Sequence, residues 1–218
     1  MPKQPLCRIK TRERLLIAAA EEFAAHGYRS TTVRTICAKA RANVAAIRYH
    51  FGSKDKLYIA TYDYVFRDSP IAALPRQPLE VNSAEQWRQE LRNWTRLVIE
   101  VLTGNEPWQR WQCGLFARER TDPSEVLPVL LERYYLPLQN RLETLLKMAL
   151  PDPADEMEVV TWRASTIAQC IVYADHKPPW DMLMFPGGNP DNRWLNHVSE
   201  HIVNSVTSRL SFRKKTDS

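Results

Sequence analysis

The chain has 218 residues, enough for one or two domains with a sizeable core, and its 44% hydrophobic and 25% charged content is that of a folded protein rather than a disordered one. Lys and Arg (30) exceed Asp and Glu (25), but the excess is local: residues 1–56 hold 12 basic and 4 acidic side chains, net +8, which leaves −3 for residues 57–218. Four scattered cysteines without a C-x-x-C, no signal-peptide pattern and no run near 18 apolar residues argue against a disulfide framework and a membrane span, and predict a reduced, cytoplasmic setting.

Residues 1–10 carry two prolines and three basic side chains without periodicity and read as a flexible basic arm. A first helix is predicted from a Thr11 cap to about His26, with Leu15, Leu16, Ala19, Ala20, Phe23 and Ala24 on one side and Gly27 ending it. Thr32 then caps a second, whose apolar side is Val33, Ile36, Cys37 and Ala40. Asn43 caps a third, Val44 to about His50, with Val44 and Ile47 inward and Ala45, Ala46, Arg48, Tyr49 and His50 outward. That outward face is small, then basic, then aromatic. Small residues let a helix sit deep in a major groove, arginine forks onto guanine or phosphate, and Tyr and His donate to phosphate oxygens. The pair therefore reads as a helix-turn-helix directed at double-stranded DNA. Ser53 caps a fourth helix, Lys54 to about Arg67, and Lys54 with the free amides at that end is placed to hold a phosphate.

Residues Thr11 to Leu57 resemble the DNA-binding domain of the TetR family of transcriptional regulators through Gly27, Thr32, Ile36, Ile47, Tyr49, His50, Phe51, Lys54 and Leu57. The family usually has glycine then valine in the turn, where this chain has Arg41 and Ala42. A non-glycine residue at positive φ costs roughly 1 kcal/mol, so either the turn is strained or its backbone differs. The candidate DNA-binding set is Thr32, Arg34, Arg41, Asn43, Ala45, Ala46, Arg48, Tyr49, His50 and Lys54, with Arg41 read equally well as a phosphate contact or a solvated turn residue.

Prolines 70, 75 and 78 make 69–82 a loop, and Ser83 with Gln86 forms a capping box opening a helix to about Thr103. Pro107 starts another, and Asp122-Pro-Ser-Glu125 signals a further start with Pro123 at its first position. Pro128 and Pro137 should bend or break the helical run that this start opens and that extends to Leu150. The segment 116–146 is similar to the carboxyl half of the CecR-like branch of the family. A helix from Ala154 to about His176 aligns Val160, Ala164, Ile167, Ile171 and Ala174; a Pro- and Gly-containing loop comes next at 177–190, and the last helix, from about Pro190 to Leu210, aligns Leu195, Val198, Ile202, Val206 and Leu210. No strand pattern and no repeat occurs, so the class is all-α: an N-terminal helix-turn-helix domain at 1–56 and a C-terminal helical bundle at 57–218.

All seven tryptophans lie between Trp87 and Trp194. Ordinary core is one reading; the other is an apolar pocket for a small-molecule effector, with Trp94, Trp108, Trp111, Phe116, Tyr134, Trp162, Tyr173 and His176 as candidates. The stripes on the last two helices, Val160, Ile167, Ile171, Leu195, Val198, Ile202 and Val206, are candidate homodimer contacts, because a palindromic operator needs a two-fold partner. His197, Glu200 and His201 match the H-x-x-E-H of some zinc peptidases, but the apolar stripe on the same helix reads as packing and the 17 residues after His201 hold a single acidic side chain, Asp217, in a basic tail, so no metal, cofactor or enzyme activity is expected. The resemblance implies a ligand-responsive repressor; the competing readings are a constitutive DNA-binding protein and, on the H-x-x-E-H pattern, a metal-dependent hydrolase.

Overall fold

The computed structural model describes residues 10–74, 79–103, 107–174 and 192–213. Residues 1–9 of the basic arm expected at 1–10, the 177–190 loop and His176 lie outside them, as does the side chain of Trp108. The helices are α1 (Thr11–Ser30), α2 (Val33–Ala40), α3 (Val44–His50), α4 (Lys54–Phe66), α5 (Pro70–Ala73), α6 (Ala84–Thr103), α7 (Pro107–Thr121), α8 (Leu127–Leu130), α9 (Leu136–Lys147), α10 (Glu156–Ala174) and α11 (Asn192–Thr207), with a π-helical turn at Leu131–Tyr135. No strand occurs among the described residues.

Two compact units divide the chain: Met1–Ala72 with Gly104–Arg133, and Ala73–Thr103 with Tyr134–Ser218. In the first, α1 buries Leu15, Leu16, Ala19 and Phe23 and leaves helical geometry at Gly27, where φ is 80°. Lys10, not Thr11, occupies its N-cap. The most extensive packing in this unit sets α7 along α1. Gly114 makes the approach possible, since a Cβ there would lie 2.8 Å from the Ala24 Cβ and 2.9 Å from its carbonyl oxygen. On α4 the buried face is Leu57, Tyr58, Thr61, Tyr62, Val65 and Phe66. The Tyr58 hydroxyl donates to buried Glu119 (2.8 Å), whose other oxygen accepts from the Ser124 amide (3.1 Å).

The start signal at 122–125 does not open a helix: α8 begins at Leu127, without a side-chain cap. Asp122 is taken instead by Arg29 (3.0 Å), which also reaches Glu125 (3.3 Å). Pro137 acts as expected, lying where the π turn gives way to α9, whereas Pro128 sits in the first turn of α8 and interrupts no helix; the chain runs on as two helical pieces joined by the π turn.

The second unit packs α6, α9, α10 and α11 around Trp87, Leu91, Trp94, Leu142, Leu146, Cys170 and Ile202. Ser83 accepts from the Gln86 amide (3.2 Å) to start α6, but the return arm of the expected capping box is displaced by one residue, since Gln86 accepts from the Asn82 amide (2.7 Å) rather than from that of Ser83. Two indoles are fixed at both ends, Trp87 donating to the Leu145 carbonyl and Trp94 to that of Leu138, each at 2.8 Å. Arg88, Arg92 and Arg96, one turn apart on α6, meet Thr207, Glu200 and Asn196 on α11.

Four expected dimer residues are displaced by this packing. Leu195 (3% exposed), Val198 (4%), Ile202 (0%) and Val206 (1%) are core of a single chain and have no surface to offer a partner. On α10 the inward residues are Val159, Thr166 and Cys170, Ile167 and Ile171 are half-buried, and Val160 faces outward. Among the described residues no helix is long and apolar enough to cross a membrane.

Candidate nucleic-acid interface

Local hydrogen bonds build the reading head. Thr32 accepts from the Thr35 amide (3.1 Å) while the Thr35 hydroxyl accepts from the Thr32 amide (3.2 Å), closing a reciprocal cap on α2. Asn43 accepts from the Ala45 amide (2.9 Å) and Ser53 from the Lys56 amide (3.2 Å), so all three caps sit where the sequence puts them. Between α2 and α3 the backbone takes the left-handed form at Arg41 (φ 50°, ψ 50°), which resolves the turn in favour of strain over an altered path. The Arg41 and Ala42 amides close α2 on the Ala38 and Cys37 carbonyls, and the Cys37 thiol donates across the turn to the Asn43 carbonyl (3.7 Å). Ile36, Cys37, Ala40 and Ile47 form the small core of the pair, and burial pushes the Cys37 thiol's pKa up.

The outer surface is polar and basic. Thr32, Arg34, Arg41, Asn43, Ala45, Arg48 and Tyr49 are exposed, Tyr49 by 84%, and Ala46, His50 and Lys54 are half-buried. Among the described residues Arg34, Arg41 and Arg48 have no hydrogen-bond or ion-pair partner, whereas Lys39 is held by Glu21 (2.9 Å) and Glu22 (2.8 Å). Unpaired arginines beside an exposed tyrosine are chemically equipped to neutralise phosphate and to fork onto base edges. Val44, expected inward, is 47% exposed at the first position of α3, where a helix of under two turns has yet to bring its side face round to the core.

Lys54 opens α4 with its ammonium 4.2 Å from the centre of the Tyr28 ring. Burial lowers its pKa, opposed by the carboxylates of Glu125 and Asp55.

The expected effector residues divide between the units. Trp111 and Phe116 are in the first, where Phe116 packs edge-on against Phe66 at 5.0 Å; Trp94, Tyr134, Trp162 and Tyr173 are in the second. Trp94 is 4% exposed with its indole N–H satisfied, which makes it a core strut. In the H-x-x-E-H segment Glu200 is engaged by Arg92 and Arg88, and their hydrogen bonds and charge hold its pKa below the usual carboxylate range, so it does not stand beside the histidines as a base.

Comparison with known proteins agrees with this geometry. Residues 15–61 match the family model described as bacterial regulatory proteins, tetR family, and residues 87–180 match the C-terminal domain of the HTH-type transcriptional dual regulator CecR. CecR of Shigella flexneri is 26% identical over 173 residues, 75% of each chain. The transcriptional repressor NicS of Pseudomonas putida is 33% identical over 57 residues, 26% of this chain and 27% of that one. Among solved structures, a regulator from Rhodococcus superposes with a TM-score of 0.63 at 17% identity (92% of this chain, 98% of that one). A TetR regulator from Agrobacterium tumefaciens does so with 0.59 at 18% identity (94% and 96%). With a capped helix-turn-helix, an all-α body and both segments matched, the chain belongs to the TetR family of transcriptional regulators.

Proposed function

We propose that the protein is a cytoplasmic, homodimeric repressor released from a palindromic operator by a small molecule. The observation that carries the DNA-binding reading is the exposed face of α2 and α3, where Arg34, Arg41 and Arg48 stand without acidic partners among the described residues beside Tyr49. For the coupling, α7 is the supporting element. It lies inside the 87–180 segment that matches the C-terminal domain model, yet it packs on α1 and α4 in the same compact unit as the reading head. An effector that shifts α7 therefore acts on α4 directly, and the ratio of operator affinities in the two states is the regulatory output.

For dimerisation the outward face of α10 takes the place of the α11 stripe. Met157 (71% exposed), Val160 (40%) and Val172 (57%) share it with exposed Thr161, Ala164, Ser165 and Ala168. No charged side chain interrupts that row, and an uncharged helical face is what a second copy covers at low desolvation cost.

Operator binding followed over salt and site variants tests the reading. Arg48→Ala should cost about 1–3 kcal/mol and relax preference at one position per half-site, while Lys54→Ala should weaken all sequences alike and lower the salt slope by about one. Equal behaviour of the two variants would reduce Arg48 to a phosphate contact, and full affinity in both would remove α3 and α4 from the interface. Operator affinity unmoved by any bound small molecule would favour a constitutive DNA-binding protein.

A further inference from the structure

Lysine is a flexible point charge, and a phosphate contact made by a freely rotating lysine loses much of its strength to ordering the stem. Lys54 is not freely rotating. Its ammonium rests 4.2 Å from the centroid of Tyr28, within cation–π range. The ring is itself immobilised: Tyr28 is 8% exposed, stacks on Phe23 at 6.2 Å and leans on Tyr58 at 5.1 Å, and Tyr58 is tied to Glu119. The Tyr28 hydroxyl donates to Asp55, the acidic residue in the first turn of α4. That hydrogen bond turns the carboxylate toward Tyr28 at the helix end where a phosphate would sit. Glu125, the other carboxylate acting on Lys54, is paired with Arg29 at 3.3 Å. Ser53 accepts from the Lys56 amide and the Ser53 carbonyl from that of Leu57, so the amides of Lys54 and Asp55 are the ones left for an anion.

We infer that Tyr28 is the positioning residue for the Lys54 phosphate contact, holding the ammonium over its ring. This rests on the DNA-binding reading above. The test is a double-mutant cycle on operator affinity, Tyr28→Leu and Tyr28→Phe, each in the wild type and in Lys54→Met. Loss of the ring in Tyr28→Leu should weaken binding about 3- to 30-fold, Tyr28→Phe should keep most of the affinity, and neither change should weaken the Lys54→Met protein further. An equal loss from Tyr28→Leu with and without Lys54 would show that Tyr28 acts through the fold and would overturn the inference while leaving the interface intact. Unchanged affinity and salt slope in Lys54→Met would overturn the inference together with the interface assignment of Lys54. A second measurement needs no variant: in the free protein the Lys54 side-chain methylene protons nearest the ammonium should show an upfield ring-current shift by NMR. Random-coil shifts there would sink the proposal.

Discussion

Gly114→Ala sets two effects of opposite sign against each other. Gly114 lies inside α7, where alanine is preferred over glycine by about 0.8–1.0 kcal/mol, so propensity alone predicts a stabilised protein. Packing predicts the reverse. The new Cβ would sit 2.8 Å from the Ala24 Cβ and 2.9 Å from its carbonyl oxygen, against a comfortable carbon–carbon separation of roughly 3.5–4.0 Å. Because the obstacle is α1 backbone, no rotamer change relieves it, and the helices must part by a good fraction of an ångström. Overpacking of this kind costs about 1–3 kcal/mol, so after the propensity gain a net loss of about 1 kcal/mol is expected, or about 2–4 °C in Tm for a chain of this size. Gly114→Val, with a larger side chain and no such gain, should lose more. Thermal and urea unfolding provide the readout, and operator affinity should fall in parallel because α1 braces the reading pair. A Gly114→Ala protein more stable than wild type by about 1 kcal/mol, the propensity value, would refute the close crossing of α7 and α1.

Other substitutions probe separate links. Ala168→Arg, on the outward face of α10, should leave helix content intact by circular dichroism while sedimentation shows monomer; Ile202→Glu, inside the core, should instead unfold the chain, and a folded monomer from Ile202→Glu would return the pairing surface to α11. Arg41→Gly removes about 1–2 kcal/mol of left-handed strain against about 0.4–1 kcal/mol of added unfolded-chain freedom, so stability should hold or rise slightly, and a measurable loss in urea would mean that the Arg41 side chain makes a stabilising contact. Hydrogen bonding to Lys147 leads the effects that hold the Glu143 pKa below its ordinary 4.5, assisted by the charges of Lys147 and Arg163. Its folded-state value being depressed, its contribution is present above the unfolded pKa and lost as pH falls through the folded one; urea titrations of Glu143→Gln should therefore differ from wild type at pH 7 and converge in acid, and a constant gap across pH would contradict the assignment.

Much of the reading head was legible because its decisive contacts are local. Thr32, Asn43 and Ser53 cap helices through hydrogen bonds spanning two or three residues, so sequence neighbours alone specify them. The inward face of α11 was not legible in the same way. A stripe of Leu195, Val198, Ile202 and Val206 has one period whether it faces its own chain or a copy, and only the apolar faces of its neighbours decide between these. On α10 the line through Val160 and Ala164 turned outward because Val159, Thr166 and Cys170 compete for the same core and win. The Asp122–Glu125 segment failed as a helix start for another reason: Arg29, more than ninety residues earlier, takes both carboxylates, and buried Glu119 takes the Ser124 amide. A long-range partner left no local pattern to find.

The same long-range ties decide how α7 acts on the reading head in the proposed coupling. Three polar links bind its carboxyl end within the first unit: Arg118 donates to the Ala25 carbonyl, Asp122 just beyond the helix pairs with Arg29, and Glu119 accepts from Tyr58. They are unequal. The Arg29 pair is about half exposed on both sides, and an ion pair of that kind contributes about 0–1 kcal/mol. Glu119 and Tyr58 are 3% and 0% exposed, and leaving a buried hydrogen-bonding group without its partner costs about 1–3 kcal/mol, more when it is charged. A displacement of α7 therefore gives up the Arg29 pair first and keeps the Glu119 bond, carrying Tyr58 and with it α4. Since Tyr58 leans on Tyr28, whose ring holds the Lys54 ammonium, the tie most costly to break leads to the group proposed to meet the phosphate.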